Sequence, residues 1–280
     1  MLGLGLINKP KIEAGNILRP VKDGLKLWMP YKKKGGEVQF VGTGSTSFDG
    51  SDVIDISAVR TSLTTEHTMM AWIMRTATST GEIFHSDDGN LYRLWIYDDS
   101  SGTDWGSWYA ASDVCVTGAD EIPQNIWTHL ATTFSRTGDF LKIYRDGIEI
   151  RSIATSDDPT VPSTNYEIGT TFTGYIKNCA IWNRALTATE VQNVMYKTYA
   201  EVSGRLGDST LVAWWSLDGE VGSDGNAGSG YILDEVAGAG STTNLGTITG
   251  ATVDTDLYGG DTPVIPRAID NAPTVQADAI

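Results

Sequence analysis

Residues 126–153, IWTHLATTFSRTGDFLKIYRDGIEIRSI, decide the fold, because they read as three consecutive antiparallel strands. The run from Trp127 to Phe134 is rich in Thr and aromatic side chains, residues 135–139 hold a turn, and Phe140 to Arg145 alternates aromatic and aliphatic with polar residues. Asp146-Gly147 follows. Asp-Gly between two alternating runs signals a hairpin, since a type I′ turn needs positive φ at both central positions and these residue types tolerate it. Beyond the turn, Ile148 and Ile150 share one side and Glu149 and Arg151 the other, the pattern of a half-buried strand.

Composition extends this reading to the whole chain. Its 280 residues suffice for one large β-sandwich with a substantial core, or for one domain plus an appendage. Thirty-one glycines and short runs between turn signals favour an all-β protein over a parallel α/β one. Cys115 and Cys179 are too few for a disulfide framework. Each sits in a strand-like run and is expected as a buried free thiol, with a bridge between strands left open. His67, His85 and His129 lack metal-ligand spacing, and His129 is expected to pack at a strand edge.

Four further pieces flank the hairpin in order: FDGSDVIDI at 48–56, TMMAWIM at 68–74, EIG at 167–169 and FTGYIKNCAIWNRAL at 172–186. Together with Trp127, His129, Ala131, Phe134, Leu141, Ile143, Tyr144, Asp146 and Gly147, they resemble the laminin-G-like domains, members of the concanavalin-A-like jelly-roll sandwiches. The resemblance implies an all-β, two-sheet antiparallel jelly roll with one short helix and extended terminal arms. It speaks far less to function. The helix has its own signature. Thr187-Ala188-Thr189-Glu190 is a capping box, Val191, Val194, Met195, Tyr199 and Val202 recur at helical spacing, and Gly204 supplies a stop. One helix plugging an end of the sandwich is expected.

The expected organisation is a basic N-terminal arm at 1–24, the sandwich at 25–204, a Gly/Asp-rich β appendage at 205–260 and an extended docking arm at 261–280. Residues 1–36 carry eight basic groups against Glu13 and Asp23, while the whole chain has a net charge of −15. A basic segment on an acidic body suggests docking onto a neighbouring subunit, through Lys32, Lys33 and Lys34 among others. The acidic body argues against nucleic acid, whose binding is dominated by phosphate contacts. After residue 205 the character changes. LVAWWSLD at 211–218 echoes LKLWMPY at 25–31 and reads as the first strand of a second unit, and residues 218–261 contain no basic residue. The tail DTPVIPRAIDNAPTVQADAI, with Pro263, Pro266 and Arg267, reads as an arm ordered by lying on another surface.

The MLGLGL opening, the laminin-G-like body, LVAWWSLD and DTPVIPRAIDNAPT together resemble virion structural proteins of tailed bacteriophages, especially those of marine hosts. That resemblance implies assembly in a host cytoplasm, capsid or tail subunits as partners, homo-oligomerisation, and an exposed decoration or fibre role. The opening MLGLGLINKPKIEAGN has only a seven-residue apolar run before a polar stretch and no cationic lead, so it is not expected to be a signal peptide, in keeping with cytoplasmic synthesis, and no segment approaches a membrane span.

Catalysis is not expected. Glucanases of this sandwich use two closely spaced carboxylates on one strand face, and their E-x-D-x-x-E signature is missing. Asp52 and Asp55 are three residues apart, which in a regular strand faces them oppositely. No Gly-x-Ser-x-Gly elbow occurs. A glycan hydrolase and a lectin-like module of a secreted bacterial protein are the alternatives. For binding, residues 98–109 place Asp98, Asp99 and Asp104 beside Trp105, Trp108 and Tyr109, an aromatic platform with acceptors that suits sugars on a host surface. No motif demands a cofactor. Calcium is the metal that the laminin-G-like resemblance offers, with Asp87, Asp88 and Asn90 as oxygen ligands.

Overall fold

The computed structural model describes residues 44–63, 66–78, 80–86, 92–99, 102–108, 114–117, 122–155, 162–206 and 209–254. The chain divides into two units, Met1–Glu37 and Val38–Ile280, and every described residue lies in the second. The strands run in order as β1 (Ser45–Asp49), β2 (Val53–Asp55), β3 (Glu66–Arg75), β4 (Gly81–Ser86), β5 (Arg93–Asp99) and β6 (Gly102–Trp108). Then come β7 (Val114–Val116), β8 (Thr128–Ser135), β9 (Phe140–Arg145), β10 (Ile148–Ala154), β11 (Tyr166–Ile168) and β12 (Thr173–Trp182). Two helices, α1 (Ala188–Val194) and α2 (Tyr199–Leu206), precede β13 (Leu211–Trp215), β14 (Tyr231–Ile232), β15 (Gly246–Thr249) and β16 (Thr252–Asp254).

These strands form two antiparallel sheets stacked as a jelly-roll sandwich. Sheet A has the order β10-β9-β8-β3-β12-β1-β16, with β13 also on β12, and sheet B the order β14-β15-β2-β11-β4-β5-β6-β7. Period-two alternation makes the core. Met69, Ala71 and Ile73 of β3 face inward to meet Leu94 and Ile96 of β5 and Ile168 of β11 in one buried cluster. The turn expected at Asp146-Gly147 is present, with φ of 50° and 75°. The Asp146 carboxylate accepts from the His129 amide at 3.0 Å, which ties the turn to β8. Gly169, after β11, also has positive φ, and a Cβ there would collide with the Phe48 ring.

The helical region departs from expectation. The Thr187 capping box forms, the hydroxyl accepting from Glu190 N at 3.3 Å and Glu190 Oε2 from Thr187 N at 2.8 Å. A second box then starts a second helix: Thr198 Oγ1 accepts from Glu201 N at 3.4 Å, and Glu201 Oε2 from Thr198 N at 3.1 Å. Between the two, the Met195 carbonyl takes the Trp72 indole N–H at 2.7 Å instead of a helical amide. Gly204 lies inside α2 rather than ending one long helix. The pair does not plug an end of the sandwich. Val191, Val194 and Val202 pack on the outward face of sheet A, against Met70, Trp182 and Trp214.

The strands expected within residues 205–260 join the sandwich itself: β13 and β16 extend sheet A, while β14 and β15 extend sheet B. One edge of β12 pairs with β1 along Thr173 to Ile176 and with β13 along Cys179 to Trp182. Between them Asn178, at φ 50°, donates to the Ser216 carbonyl at 3.1 Å. Hydrogen bonds supply what the segment lacks in apolar side chains. Buried Asp234 accepts from Trp214 N at 3.0 Å, Val236 N at 3.1 Å and Asn244 Nδ2 at 3.0 Å. Residues 25–43 and 255–280 lie outside the described residues. No described helix is long and apolar enough to cross a membrane.

Both cysteines are free and buried, and burial pushes Cys115 up to about 11 and Cys179 further still. His129 is not at a sheet edge. It sits on β8 between β3 and β9, wholly buried, 5.3 Å from the Trp72 ring, and neither ring nitrogen has a hydrogen-bond partner among the described residues. Burial lowers its pKa from 6.5 to about 3. The unfolded chain therefore takes up a proton that the folded one refuses between those values, and stability is full above pH 6.5 and falls on acidification through that window. Acidifying from neutrality to about pH 5 is expected to cost about 2 kcal/mol through this residue alone. Urea unfolding of wild type and His129→Phe at both pH values measures the difference. Equal pH slopes would show that His129 is not its source.

Candidate functional site

With helices on the outward face of sheet A, the outward face of sheet B is the place to look for chemistry. On β5, Leu94 and Ile96 enter the core, leaving Arg93 and Trp95 half-buried on the other side. On β11, Tyr166 and Ile168 point inward and Glu167 outward, and on β2 Ile54 points inward and Asp55 outward. Strand β4 breaks the alternation. Glu82 and His85 are three residues apart, which in a regular strand puts them on opposite faces. The register slips between Glu82 and Phe84, so that Ile83 and Phe84 both enter the core and the two polar residues emerge on one face.

There they form a charged cluster. His85 Nδ1 lies 2.7 Å from Glu82 Oε2, and Arg93 Nε donates to the same oxygen at 2.6 Å. Arg93 Nη2 contacts the other oxygen, Oε1, completing a two-point clamp. The Glu82 side chain is only 11% exposed, so the guanidinium is what makes an ionised carboxylate tolerable there. Burial lowers the pKa of Arg93 in turn, but a guanidinium keeps its charge at neutral pH. Ser107 Oγ donates to the Arg93 carbonyl at 2.8 Å and fixes β5 against β6.

A polar row crosses the same face. Thr247, Asp55, Glu167 and His85 are successive register partners across β15, β2, β11 and β4. Asp55 Oδ1 accepts from Ser57 N at 2.7 Å, and Glu167 Oε2 accepts from Thr170 Oγ1 at 3.0 Å. The face thus offers an indole, a fixed guanidinium, an imidazole and several carboxylate acceptors. Among the described residues, no group of three or more His, Cys, Asp or Glu could hold a metal ion.

Of the platform expected on residues 98–109, the side chain of Trp105 alone is described. Trp105 is wholly buried in the core, a correction with a simple cause: it pairs across β5–β6 with Ile96, and cross-strand partners share a face. The backbones of Asp98 and Asp99 close β5, Asp104 on β6 is the register partner of Tyr97, and Trp108 is that of Arg93. Their side chains, with Tyr109, Asp87, Asp88, Asn90, Lys32, Lys33, Lys34, Pro263, Pro266 and Arg267, fall outside the described residues. Sequence reasoning missed Arg93 and Trp95, although their alternation with Leu94 and Ile96 could have shown them. It had no means to pair Glu82 with His85, because the slip in β4 has no local signature.

No curated protein sequence matches the chain. Among solved structures, a Bacteroides ovatus protein provisionally assigned to carbohydrate binding superposes with a TM-score of 0.60 at 17% identity, covering 81% of this chain. The match takes in 63% of that protein, so the chain spans less than two thirds of its length. A heptameric SAP-like pentraxin of Limulus polyphemus gives a TM-score of 0.45 at 18% identity, over 54% of this chain and 81% of the pentraxin. The CBM40 of Ruminococcus gnavus IT-sialidase, solved with α2,3-sialyllactose, gives 0.44 at 11% identity, over 54% of this chain and 95% of the module. Such distant likeness concerns fold alone. In sequence, residues 48–192, more than half of the chain, match the laminin G family described as the concanavalin A-like lectin/glucanases superfamily. With that match laid over a two-sheet antiparallel sandwich, the chain belongs to the concanavalin A-like lectin/glucanases superfamily.

Proposed function

We propose that the protein is a non-enzymatic glycan-binding module whose outward sheet-B face takes the sugar. The observation that carries this reading is Trp95 beside the Glu82–Arg93–His85 cluster, gathered on one face by the slip in β4. Sugar rings have apolar faces and hydroxyl edges, which suit an indole and held charged partners. The carbohydrate binding assigned to the B. ovatus relative agrees with it. Binding without turnover fits the carboxylates. Asp55 and Glu167 face each other, but Asp55 is exposed and Glu167 half-buried, and neither has the apolar enclosure that sets a general acid apart from its partner.

The test is a glycan panel read by calorimetry. Trp95→Ala is expected to weaken the best ligand on the order of tenfold or more, about 1.4 kcal/mol, with thermal unfolding little changed. Unaltered affinity in that variant would overturn the assignment of this face. Sugar release that Asp55→Asn abolishes would establish the hydrolase alternative instead.

The finer reading is an exposed component of a tailed-phage particle, of capsid-decoration or fibre type, assembled in the host cytoplasm and binding host-surface glycans. Its support is the resemblance carried by LVAWWSLD and DTPVIPRAIDNAPT. Lys32, Lys33, Lys34, Pro263, Pro266 and Arg267 would dock neighbouring subunits. Peptide mass mapping of purified particles tests it. Recovery only from a bacterial secretome would make the protein a secreted lectin-like module.

A further inference from the structure

We infer that the outward face of sheet B selects an uncharged or amine-bearing glycan chain, several rings long and laid across the strands, and rejects carboxylated or sulfated glycans. This rests on the glycan-binding reading above and deepens it.

The charge on the face is one-sided. Among the described residues of the row and its cluster, Asp55, Glu167 and Glu82 are carboxylates, against the guanidinium of Arg93. The side-on edge of that guanidinium is already engaged, because Nε and Nη2 contact the two oxygens of Glu82. Arg93 therefore cannot offer that side-on edge to a carboxylate or sulfate, and an anion approaching its remaining N–H groups is brought beside the Glu82 carboxylate. An acidic sugar laid on the row would bring its charge beside Asp55 and Glu167, which face each other directly across β2 and β11. Like charges brought together in a binding interface are strongly disfavoured, whereas hydroxyls and ammonium groups donate to the same oxygens.

The extent of the row sets the length of the ligand. Thr247, Asp55, Glu167 and His85 step across four adjacent strands, and Arg93 on β5 joins them through Glu82. At about 4.8 Å per strand, the four steps from β15 to β5 span about 19 Å. One ring cannot cover that distance, and an oligosaccharide can. Trp95, half-buried beside the cluster, offers a stacking face at the β5 end.

The experiment titrates the full chain with a neutral oligosaccharide, its single-ring unit, a chitosan oligosaccharide and an oligogalacturonate of matched length, at low and high salt. The neutral or amine-bearing chains are expected to bind on the order of tenfold or more tighter than the oligogalacturonate, the gap narrowing with salt. Affinity is expected to fall steeply for the single ring. The double variant Asp55→Asn/Glu167→Gln keeps an acceptor for Ser57 N and Thr170 Oγ1, and the ratio of acidic to neutral affinity is expected to rise about tenfold in it. An oligogalacturonate that binds wild type as well as the neutral chain, or a ratio unmoved in the double variant, overturns the selectivity while leaving glycan binding in place. A single ring that binds as tightly as the chain overturns the extended row. Wild type that binds none of the probes removes the glycan-binding reading and the inference with it.

Discussion

Replacing Trp105 by alanine is expected to lower the unfolding free energy by about 3–5 kcal/mol, the cost of emptying a site that a large aromatic fills completely. The indole has no exposure and belongs to the main core between the sheets. Its strand is also held to the segment after β7: Thr117 N donates to the Trp105 carbonyl at 2.9 Å, and Trp105 N donates to Thr117 Oγ1 at 3.2 Å. Neighbours held on both sides cannot collapse far into the void, which puts the cost toward the upper part of that range. Denaturant unfolding with an unchanged m-value measures it. Trp95→Ala, half-buried on the outward face, supplies the contrast: little stability lost, much affinity lost. If Trp105→Ala stayed as stable as wild type but lost sugar binding, Trp105 would be a ligand platform and the outward face would need another explanation.

Asp234→Ala is expected to cost a similar amount, about 3–5 kcal/mol, by leaving Trp214 N, Val236 N and Asn244 Nδ2 without their acceptor. The effect should spread to the core. The Asn244 carbonyl holds the Trp215 indole N–H at 3.0 Å, so a displaced Asn244 loosens a tryptophan between the sheets. Asp234→Asn should lose much less, since one amide oxygen still serves Trp214 N and Val236 N and only the contact to Asn244 turns donor against donor. Comparing the two variants by urea unfolding separates acceptor loss from charge loss. Equal destabilisation by both would mean that the charge itself, which burial works against by raising the pKa of this carboxyl, is what the segment depends on.

Residues 219–245 are held by the buried Asp234 carboxylate, by the contacts to Trp214 and Trp215, and by Ile232 and Val236 reaching into the sandwich's own clusters, rather than by an apolar core of their own. This is why a segment with few hydrophobic residues reads as an appendage and yet completes both sheets. Pairing of β13 with β12 and of β15 with β2 is long-range, and composition cannot report it. The helices teach a related point. Thr198 and Glu201 are a capping box as legible as Thr187 and Glu190, but a hydrophobic stripe continuing through Met195 and Tyr199 masks it. The indole of Trp72, far away in sequence, is what claims the carbonyl where the first helix ends.

Local physics determined a good deal of this protein from sequence alone. The alternating strand Phe140 to Arg145, the positive-φ turn at Asp146-Gly147 and the Thr187–Glu190 box each depend only on residues a few positions apart, so they could be read directly, and the laminin-G-like resemblance implied the sandwich. The alternation expected beyond the turn is instead broken by a bulge in β10 that leaves Ile148 exposed. Tertiary structure decided what faces outward. Ile83 and Phe84 both turn into the core, Glu82 and His85 are thereby forced onto one face, and Trp105 is carried inward by its register with Ile96. The physical reason is the strict two-residue period of a strand: a single slip, chosen by packing against the opposite sheet, exchanges inside for outside, and nothing adjacent in the chain announces it.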